Sequence, residues 1–171
     1  MKPMMRHSKK TSETEGLTPE GVGPTANDVR RYAMDLLARR EYSRTELLNR
    51  LATRFGSVSI LAEVVEQLSS DGLQSDERFA ELLVRSRCLR FQGPIKIRYE
   101  LVQKGVDEHT TDCAVAMRDQ HWSELALACR VRKFGESDPV DAKERARQQR
   151  FLLQRGFSHD QIRYALKTRD H

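Results

Sequence analysis

One short segment, in which a glycine follows a leucine by four residues, occurs three times and restricts the fold more than any other feature. Each copy continues with an apolar residue and then a Ser or Asp: Leu68, Gly72, Leu73 and Ser75; Leu101, Gly105, Val106 and Asp107; Leu152, Gly156, Phe157 and Ser158. Glycine readily adopts the left-handed conformation that ends helices, and the apolar residue after it packs back on the helix. Ser and Asp are favoured N-cap residues. The segment therefore predicts a helix, a glycine joint and a second helix, and its three copies predict an internal repeat.

Apolar residues recur at helical spacing between these joints and before the first of them. The pattern predicts nine helices: three early ones around Val29–Leu37, Leu47–Phe55 and Ile60–Leu68, and six more near 75–91, 94–104, 108–119, 121–134, 139–155 and 158–168. Ser43 with Glu46, and Ser158 with Gln161, have the spacing of capping boxes. Pro94 suits the first position of a helix, because its missing N–H has no partner there.

Composition supports an all-α fold. Charged residues make up 32% of the chain and aromatic residues only 6%, which suits solvated helices with narrow apolar stripes better than a β-sandwich. We expect three tandem three-helix repeats over 27–74, 75–120 and 121–171. Residues 1–26 hold three of the five prolines and few large apolar side chains, so we expect a disordered tail there.

Several classes of protein are disfavoured by the sequence. No apolar run approaches the roughly 20 residues of a membrane-spanning helix, and the basic first residues lack the apolar core of a secretory signal. Cys88, Cys113 and Cys129 are odd in number and form no CxxC pair. These features predict a cytoplasmic protein whose thiols are reduced and packed as small hydrophobic groups.

The chain also lacks the spacings that enzymes use. It contains no phosphate-binding loop, no dinucleotide fingerprint, no HExxH and no GxSxG. Its acidic pairs, Asp76 with Glu77 and Asp107 with Glu108, stand at predicted helix starts, where the helix dipole favours negative charge. We therefore predict no catalytic residues, no bound metal and no cofactor.

Charge is distributed in blocks. Residues 78–104 contain seven basic and two acidic side chains, and residues 129–171 contain eleven basic and six acidic ones. Residues 105–128, between these blocks, carry one basic and five acidic side chains. Such blocks suggest a polyanion or an acidic protein surface as partner. A solvated helix surface laced with salt bridges is the alternative.

The basic residues are the candidate binding residues. Lys143, Arg147 and Arg150 share one face of their predicted helix, beside an apolar face of Ala142, Ala146 and Leu153 that we expect to be buried. The other candidates are Arg85, Arg87, Arg90, Lys96, Arg98, Lys104, Arg130, Arg132, Lys133, Arg155, Arg163 and Lys167. A cluster at 130–133 ends a helix, where cations also complement the dipole. Aromatic residues lie among the cations, and we expect them to pack in the core: Phe91, Tyr99, Phe134 and Phe151.

Four stretches together resemble the RecX family of regulators of the RecA recombinase. They are GLQSDERFAELLV at 72–84, FQGPIKIRYELVQKGV at 91–106, RKFGE at 132–136 and QQRFLLQRGFSHDQIRYAL at 148–166. The resemblance implies an elongated, curved array of three three-helix repeats. It further implies binding along the groove of the RecA–DNA filament and inhibition of the recombinase, ATPase and coprotease activities of RecA, in DNA repair and the SOS response. We also expect the protein to be a monomer. The family has no catalytic motif to carry over, and the tail lies outside the resemblance.

A second hypothesis remains open beside this one. A helical module with separated basic patches could bind single- or double-stranded DNA directly and compete with RecA for it. Direct DNA binding would act on naked strands and fall steeply with salt.

Overall fold

The computed structural model describes residues 23–117 and 121–167, and within these stretches it contains nine helices and no strands. The helices are α1 (Ala26–Leu37), α2 (Arg44–Phe55), α3 (Ile60–Ser70), α4 (Asp76–Cys88), α5 (Pro94–Gln103), α6 (Glu108–Ala116), α7 (Trp122–Phe134), α8 (Ala142–Arg155) and α9 (His159–Ala165). The prediction of an all-α chain of nine helices is confirmed over these residues. The predicted ends of α6 at 119 and of α9 at 168 lie outside them.

The helices pack in threes around three separate apolar cores. We call α1–α3 the first unit, α4–α6 the second and α7–α9 the third. The first core contains Leu47, Leu51 and Leu68, and the third contains Leu152 and Phe157. The second core is centred on Ile97 and Leu101 and also takes in Trp122, from the first turn of α7. The expected boundary at 121 thus lies one residue before a side chain that belongs to the second core.

The glycine joints have the predicted geometry. The φ angles of Gly72, Gly105 and Gly156 are +71°, +77° and +89°, and each glycine lies within two residues of a helix end. The side chains of Ser75, Asp107 and Ser158 accept hydrogen bonds from the third residue of the helix that follows. Gly56 and Gly135, which the joint pattern does not include, also have positive φ angles after helices.

Four local predictions need correction. Ser43 caps α2, but Glu46 does not return to the Ser43 backbone because its carboxylate binds Arg40 and Lys104 instead. Helix α4 was predicted to reach residue 91 but ends at Cys88, because Phe91 has a φ of +55°, which is incompatible with a continuing helix.

Helix α8 was predicted to begin at 139 but begins only after its N-cap Asp141. Helix α1 begins at Ala26, inside the expected tail; residues 1–22 of that tail lie outside the described stretches.

The buried face of α8 also differs from the prediction. Gln148 and Leu152 face the core, whereas the three residues of the expected apolar stripe, Ala142, Ala146 and Leu153, are exposed. Gln148 and Leu152 occupy the places that Ile97 and Leu101 occupy in α5, four residues apart and at the same distance from the joint glycine. Apolar spacing could not identify this buried face, because one of its core positions holds the polar Gln148. The spacing pointed instead to the adjoining face of Ala142, Ala146 and Leu153.

The middle helices of the three units meet end to end. The carbonyl oxygen of Lys104, after the last residue of α5, accepts a 2.6 Å hydrogen bond from the hydroxyl of Ser43, the N-cap of α2. The carbonyl oxygens of Arg155 and Gly156, at the end of α8, accept hydrogen bonds of 2.8 and 3.0 Å from the amides of Gly93 and Ile95 at the start of α5. The negative end of one helix dipole thus meets the positive end of the next.

Candidate partner-binding surface

Arg87 is engaged inside the protein rather than presented to a partner. Its Nε donates a 2.7 Å hydrogen bond to Glu100, and a second guanidinium nitrogen binds the other oxygen of the same carboxylate. This hydrogen bonding holds the pKa of Glu100 below its usual range and raises the pKa of Arg87. The pair joins α4 to α5, so it stabilises the second unit.

Three more of the predicted cations form ion pairs. The pairs are Arg98 with Asp112, Lys104 with Glu46 and Arg163 with Asp160. The Lys104 pair, 2.5 Å long, crosses from the second unit to the first and adds to the joint at Ser43. The acidic partners Asp112 and Glu46 come from other helices, which the spacing of the cations alone could not reveal.

Arg130 is not a surface cation. Only 3% of the residue is exposed, and its guanidinium donates hydrogen bonds of 3.1 and 3.0 Å to the carbonyl oxygens of Ser137 and Glu136. These contacts hold the loop that follows α7 against the end of that helix. Arg130 is therefore removed from the candidate surface. Arg145, which is not among the candidate cations, also binds backbone: its guanidinium donates a 3.1 Å hydrogen bond to the carbonyl oxygen of Leu166 after α9.

Three arginines of the candidate set stack on phenylalanine rings. The guanidinium carbons lie 5.1 to 5.6 Å from the ring centres in the pairs Arg132 with Phe91, Arg155 with Phe151, and Arg147 with Phe134. Phe134 and Phe151 also meet edge to face at 5.3 Å, so the stacks lie close to one another on α7 and α8. We call these three pairs the Arg–Phe stacks. Stacking limits the motion of a guanidinium and leaves N–H groups at its edge for an anion. The Arg155 guanidinium is held further by one hydrogen bond of 3.1 Å, which it donates to the carbonyl oxygen of Arg90.

A depression of about 330 Å³ lies among these stacks, where the second unit meets the third. Its charged lining residues are all cations: Arg90, Arg132, Lys133 and Arg155. Cys129 lies at the depression, and burial raises the pKa of its thiol, so this group adds no negative charge there. We call this feature the junction pocket. A concentration of positive charge without a lining acid favours an anionic ligand.

The remaining candidates are solvent-exposed. Lys143, Arg147 and Arg150 are exposed along α8, as their spacing predicts. Arg85, Lys96 and Lys167 are exposed as well, and Arg85 lines a groove with Leu82, Met117 and His121. The structure thus brings four candidate cations together at the junction pocket, namely Arg90, Arg132, Lys133 and Arg155, while Arg85 lies in a separate groove.

The aromatic residues among the cations do not all behave as expected. Phe91 and Phe151 pack against the third core, but Tyr99 has 68% of its surface exposed. Phe91, Phe134 and Phe151 also hold arginines, a role that the expectation of core packing did not include. Of the three stacks, only Arg155 with Phe151 has the short helical spacing that the sequence could have revealed.

The described part of the chain contains neither a cluster of metal ligands nor a helix that could span a membrane. No three His, Cys, Asp or Glu side chains among residues 23–117 and 121–167 are grouped so as to hold a metal ion. None of the helices in these stretches has the length and apolar character that crossing a membrane requires. Cys113, expected to be packed, is exposed and lies 3.7 Å from the His109 ring.

Comparison with known proteins identifies the family. Residues 75–115 match the family model described as RecX, second three-helix domain, and residues 120–166 match the model described as RecX, third three-helix domain. The chain is 42% identical over 149 residues to the regulatory protein RecX of Halorhodospira halophila, a match that covers 87% of this chain and 92% of that protein. This chain belongs to the RecX family. The regulatory protein RecX of Chromohalobacter salexigens is 44% identical over 134 residues, covering 78% and 88% of the two chains.

Solved RecX structures share the fold. The crystal structure of RecX from Lactobacillus salivarius has a TM-score of 0.70 to this protein at 21% identity, covering 80% of this chain and 91% of that one. A crystal structure described as regulatory protein RecX gives a TM-score of 0.68, also at 21% identity, covering 82% and 72%. The resemblance stated from the sequence motifs is confirmed, and so is the repeat fold. As a RecX-family member, the protein is a regulator.

Proposed function

We propose that this protein inhibits RecA by binding the RecA–DNA filament, lowering its recombinase, ATPase and coprotease activities in DNA repair and the SOS response. We further propose that the protein acts as a monomer in the cytoplasm and has no catalytic activity of its own. Its relatives carry the name regulatory protein RecX, and a regulator of RecA needs a surface that suits a nucleoprotein filament.

The Arg–Phe stacks around the junction pocket are the observation that carries this proposal. A filament of protein and DNA offers phosphates and acidic side chains along a continuous groove. Prearranged guanidinium groups suit such anions, because less side-chain freedom is lost on binding. The exposed cations Lys143 and Arg150 lie on α8 beside this region and extend the positive surface.

Repetition of the fold supports a filament as partner. Three units joined through their middle helices present an extended surface, as helical repeat proteins do. Such a surface can span more than one protomer of a filament. Binding across protomers would alter filament growth or ATP turnover without chemistry by the inhibitor.

A co-sedimentation experiment tests the proposal. RecA is assembled on single-stranded DNA with a non-hydrolysable ATP analogue, and the protein is added at increasing concentration. We expect it to pellet with the filaments and to lower RecA ATPase activity in a parallel assay with ATP. Absence of both effects would overturn the proposal.

Direct DNA binding is the second candidate function. The same guanidinium groups could contact phosphates of naked DNA, and arginine planes can also stack on exposed bases. Binding to an oligonucleotide without RecA, titrated at several salt concentrations, separates the two. A direct DNA competitor binds naked strands as tightly as filaments, with a steep loss of affinity as salt rises.

A further inference from the structure

Helix α5 exposes an apolar stripe on the surface of the second unit. Ile95, Tyr99 and Val102 have 56%, 68% and 54% of their surfaces exposed, and their spacing of four and three residues places them on one face. The opposite face is fully buried through Ile97 and Leu101. Single exposed apolar residues are ordinary on proteins, but several on one face mark an interaction site. We call Ile95, Tyr99 and Val102 the α5 stripe.

The other two units show that the repeat folds without this stripe. The buried positions of α5 have buried counterparts in the other middle helices, namely Leu47 and Leu51 in α2, and Gln148 and Leu152 in α8. In the same register, the positions of the α5 stripe correspond to Thr45, Asn49 and Ala52 in α2, and to Ala146, Arg150 and Leu153 in α8. Asn and Arg thus stand where α5 has Tyr99. Packing of a unit does not explain the α5 stripe.

Charge around the α5 stripe indicates what covers it. Lys96 is exposed beside Ile95 and packs against Gly156, next to Arg155 of the junction pocket. The one acidic side chain of α5, Glu100, is neutralised by Arg87. The stripe therefore has a cationic border at its N-terminal end. A partner with acidic residues around an apolar centre would be complementary to this border.

We propose that the α5 stripe is the docking surface for a protein partner that presents an apolar patch with an acidic border. The proposal rests on the proposed function, in which that partner is a RecA subunit of the filament. The cations of the third unit then provide the long-range attraction, and the α5 stripe provides the apolar centre of the contact.

The test replaces Tyr99 and Val102 together by Gln, which retains helix propensity. The matched control is Val140→Gln, because Val140 is 92% exposed and lies outside the stripe. We expect the double variant to bind RecA filaments about tenfold more weakly or worse, as loss of a tyrosine contact implies, and the control to bind as wild type does. Circular dichroism and the urea midpoint should be the same in all three proteins.

Charge variants at one position test the border of the partner. Tyr99→Glu and Tyr99→Lys both remove the ring, but only Glu adds negative charge. An acidic partner predicts weaker filament binding for Tyr99→Glu than for Tyr99→Lys, with a difference that shrinks as salt rises. Equal losses of filament affinity for the two variants at low salt would contradict an acidic border on the partner.

Other results would overturn the α5 stripe as a protein-docking surface. If the double variant loses affinity for a naked oligonucleotide to the same degree, the stripe binds bases. If wild type sediments as a dimer and the double variant as a monomer, the occupant is a second copy. If the double variant binds filaments as tightly as wild type does, the α5 stripe is not a docking surface, but the proposed function stands. If the wild-type protein does not bind RecA filaments, both the proposed function and the docking role of the stripe are overturned.

Discussion

The carbonyl oxygen of Arg155, the last residue of α8, accepts a 2.8 Å hydrogen bond from the backbone N–H of Gly93, the residue that precedes α5. A Cβ atom on Gly93 would lie 2.3 Å from the carbonyl oxygen of Gly156, so the two backbones touch where the second and third units meet. The joint between the first and second units differs, because side chains form it through Ser43 and the ion pair of Lys104. A Cβ atom on Gly105 would lie 2.1 Å from the Thr45 hydroxyl oxygen, so this joint also requires a glycine, here against a side chain rather than against backbone.

Gly156→Ala should destabilise the protein more than Gly72→Ala. Both glycines have positive φ angles, which cost an alanine about 1 kcal/mol. A Cβ at Gly72 meets open space, whereas one at Gly156 would lie 2.5 Å from the Cβ of Lys96. We expect an extra loss of about 1–3 kcal/mol for Gly156→Ala from this overpacking, measured by urea unfolding. Equal losses for the two variants would show that the close joint is not required.

Reversing Lys143, Arg147 and Arg150 to Glu should weaken RecA inhibition strongly and leave the fold intact. These three side chains are exposed, whereas α8 is held to the third core through Gln148 and Leu152. The loss should be larger at low salt, where charge contacts are least screened. An ATPase titration at two salt concentrations measures it, and circular dichroism monitors the helices. Wild-type potency at both concentrations would show that this face is only solvated.

Replacing a stacked arginine by lysine should cost more than the same change at an unstacked one. Arg147 lies over the Phe134 ring at 5.6 Å, while Arg150, on the same helix, stacks on no ring of the described residues. Lysine keeps the charge but lacks the planar, ring-held group. We expect Arg147→Lys to weaken filament binding about two- to fivefold more than Arg150→Lys. Identical binding curves for the two variants would refute a role for stacking.

Glu100→Gln should lower stability at neutral pH and less so in acid. The pKa of Glu100 is held below its ordinary value of 4.5, chiefly by hydrogen bonds from Arg87. A depressed carboxyl pKa stabilises the folded state fully above the ordinary value, and the contribution is lost as pH falls through the folded pKa. We expect a loss of about 1 kcal/mol at about pH 7 that shrinks toward about pH 3. The control is Glu81→Gln, an exposed position on α4, which should change stability little at either pH.

The purified protein should hydrolyse neither ATP nor DNA under conditions in which it lowers RecA ATPase activity. The expectation rests on the sequence, which has no nucleophile–base spacing and no phosphate-binding loop. The assay measures phosphate release and strand cleavage with RecA omitted. Turnover proportional to the concentration of this protein would contradict the proposed mode of action.

Local features of the fold were predictable because their causes are local. A glycine at a helix end or a Ser at an N-cap acts on neighbours within about four residues, so Gly105, Gly156 and Ser158 were assigned correctly. The face that α8 buries was not predictable, because Gln148 takes a core position that apolar periodicity gives to another residue. Glu46 likewise left its expected capping role for Lys104, which lies far along the chain.

By itself, the sequence determined the helices, their joints, the repeat and the exposed spacing of Lys143, Arg147 and Arg150. Only the tertiary structure decided which cations are available to a partner. Arg87 and Lys104 are neutralised by acids from other helices, and Arg130 is buried against a loop. Helical periodicity specifies which residues share a face, but packing between helices determines which face is covered and which charges meet. For that reason the Arg–Phe stacks and the exposure of the α5 stripe could be recognised only in the folded structure.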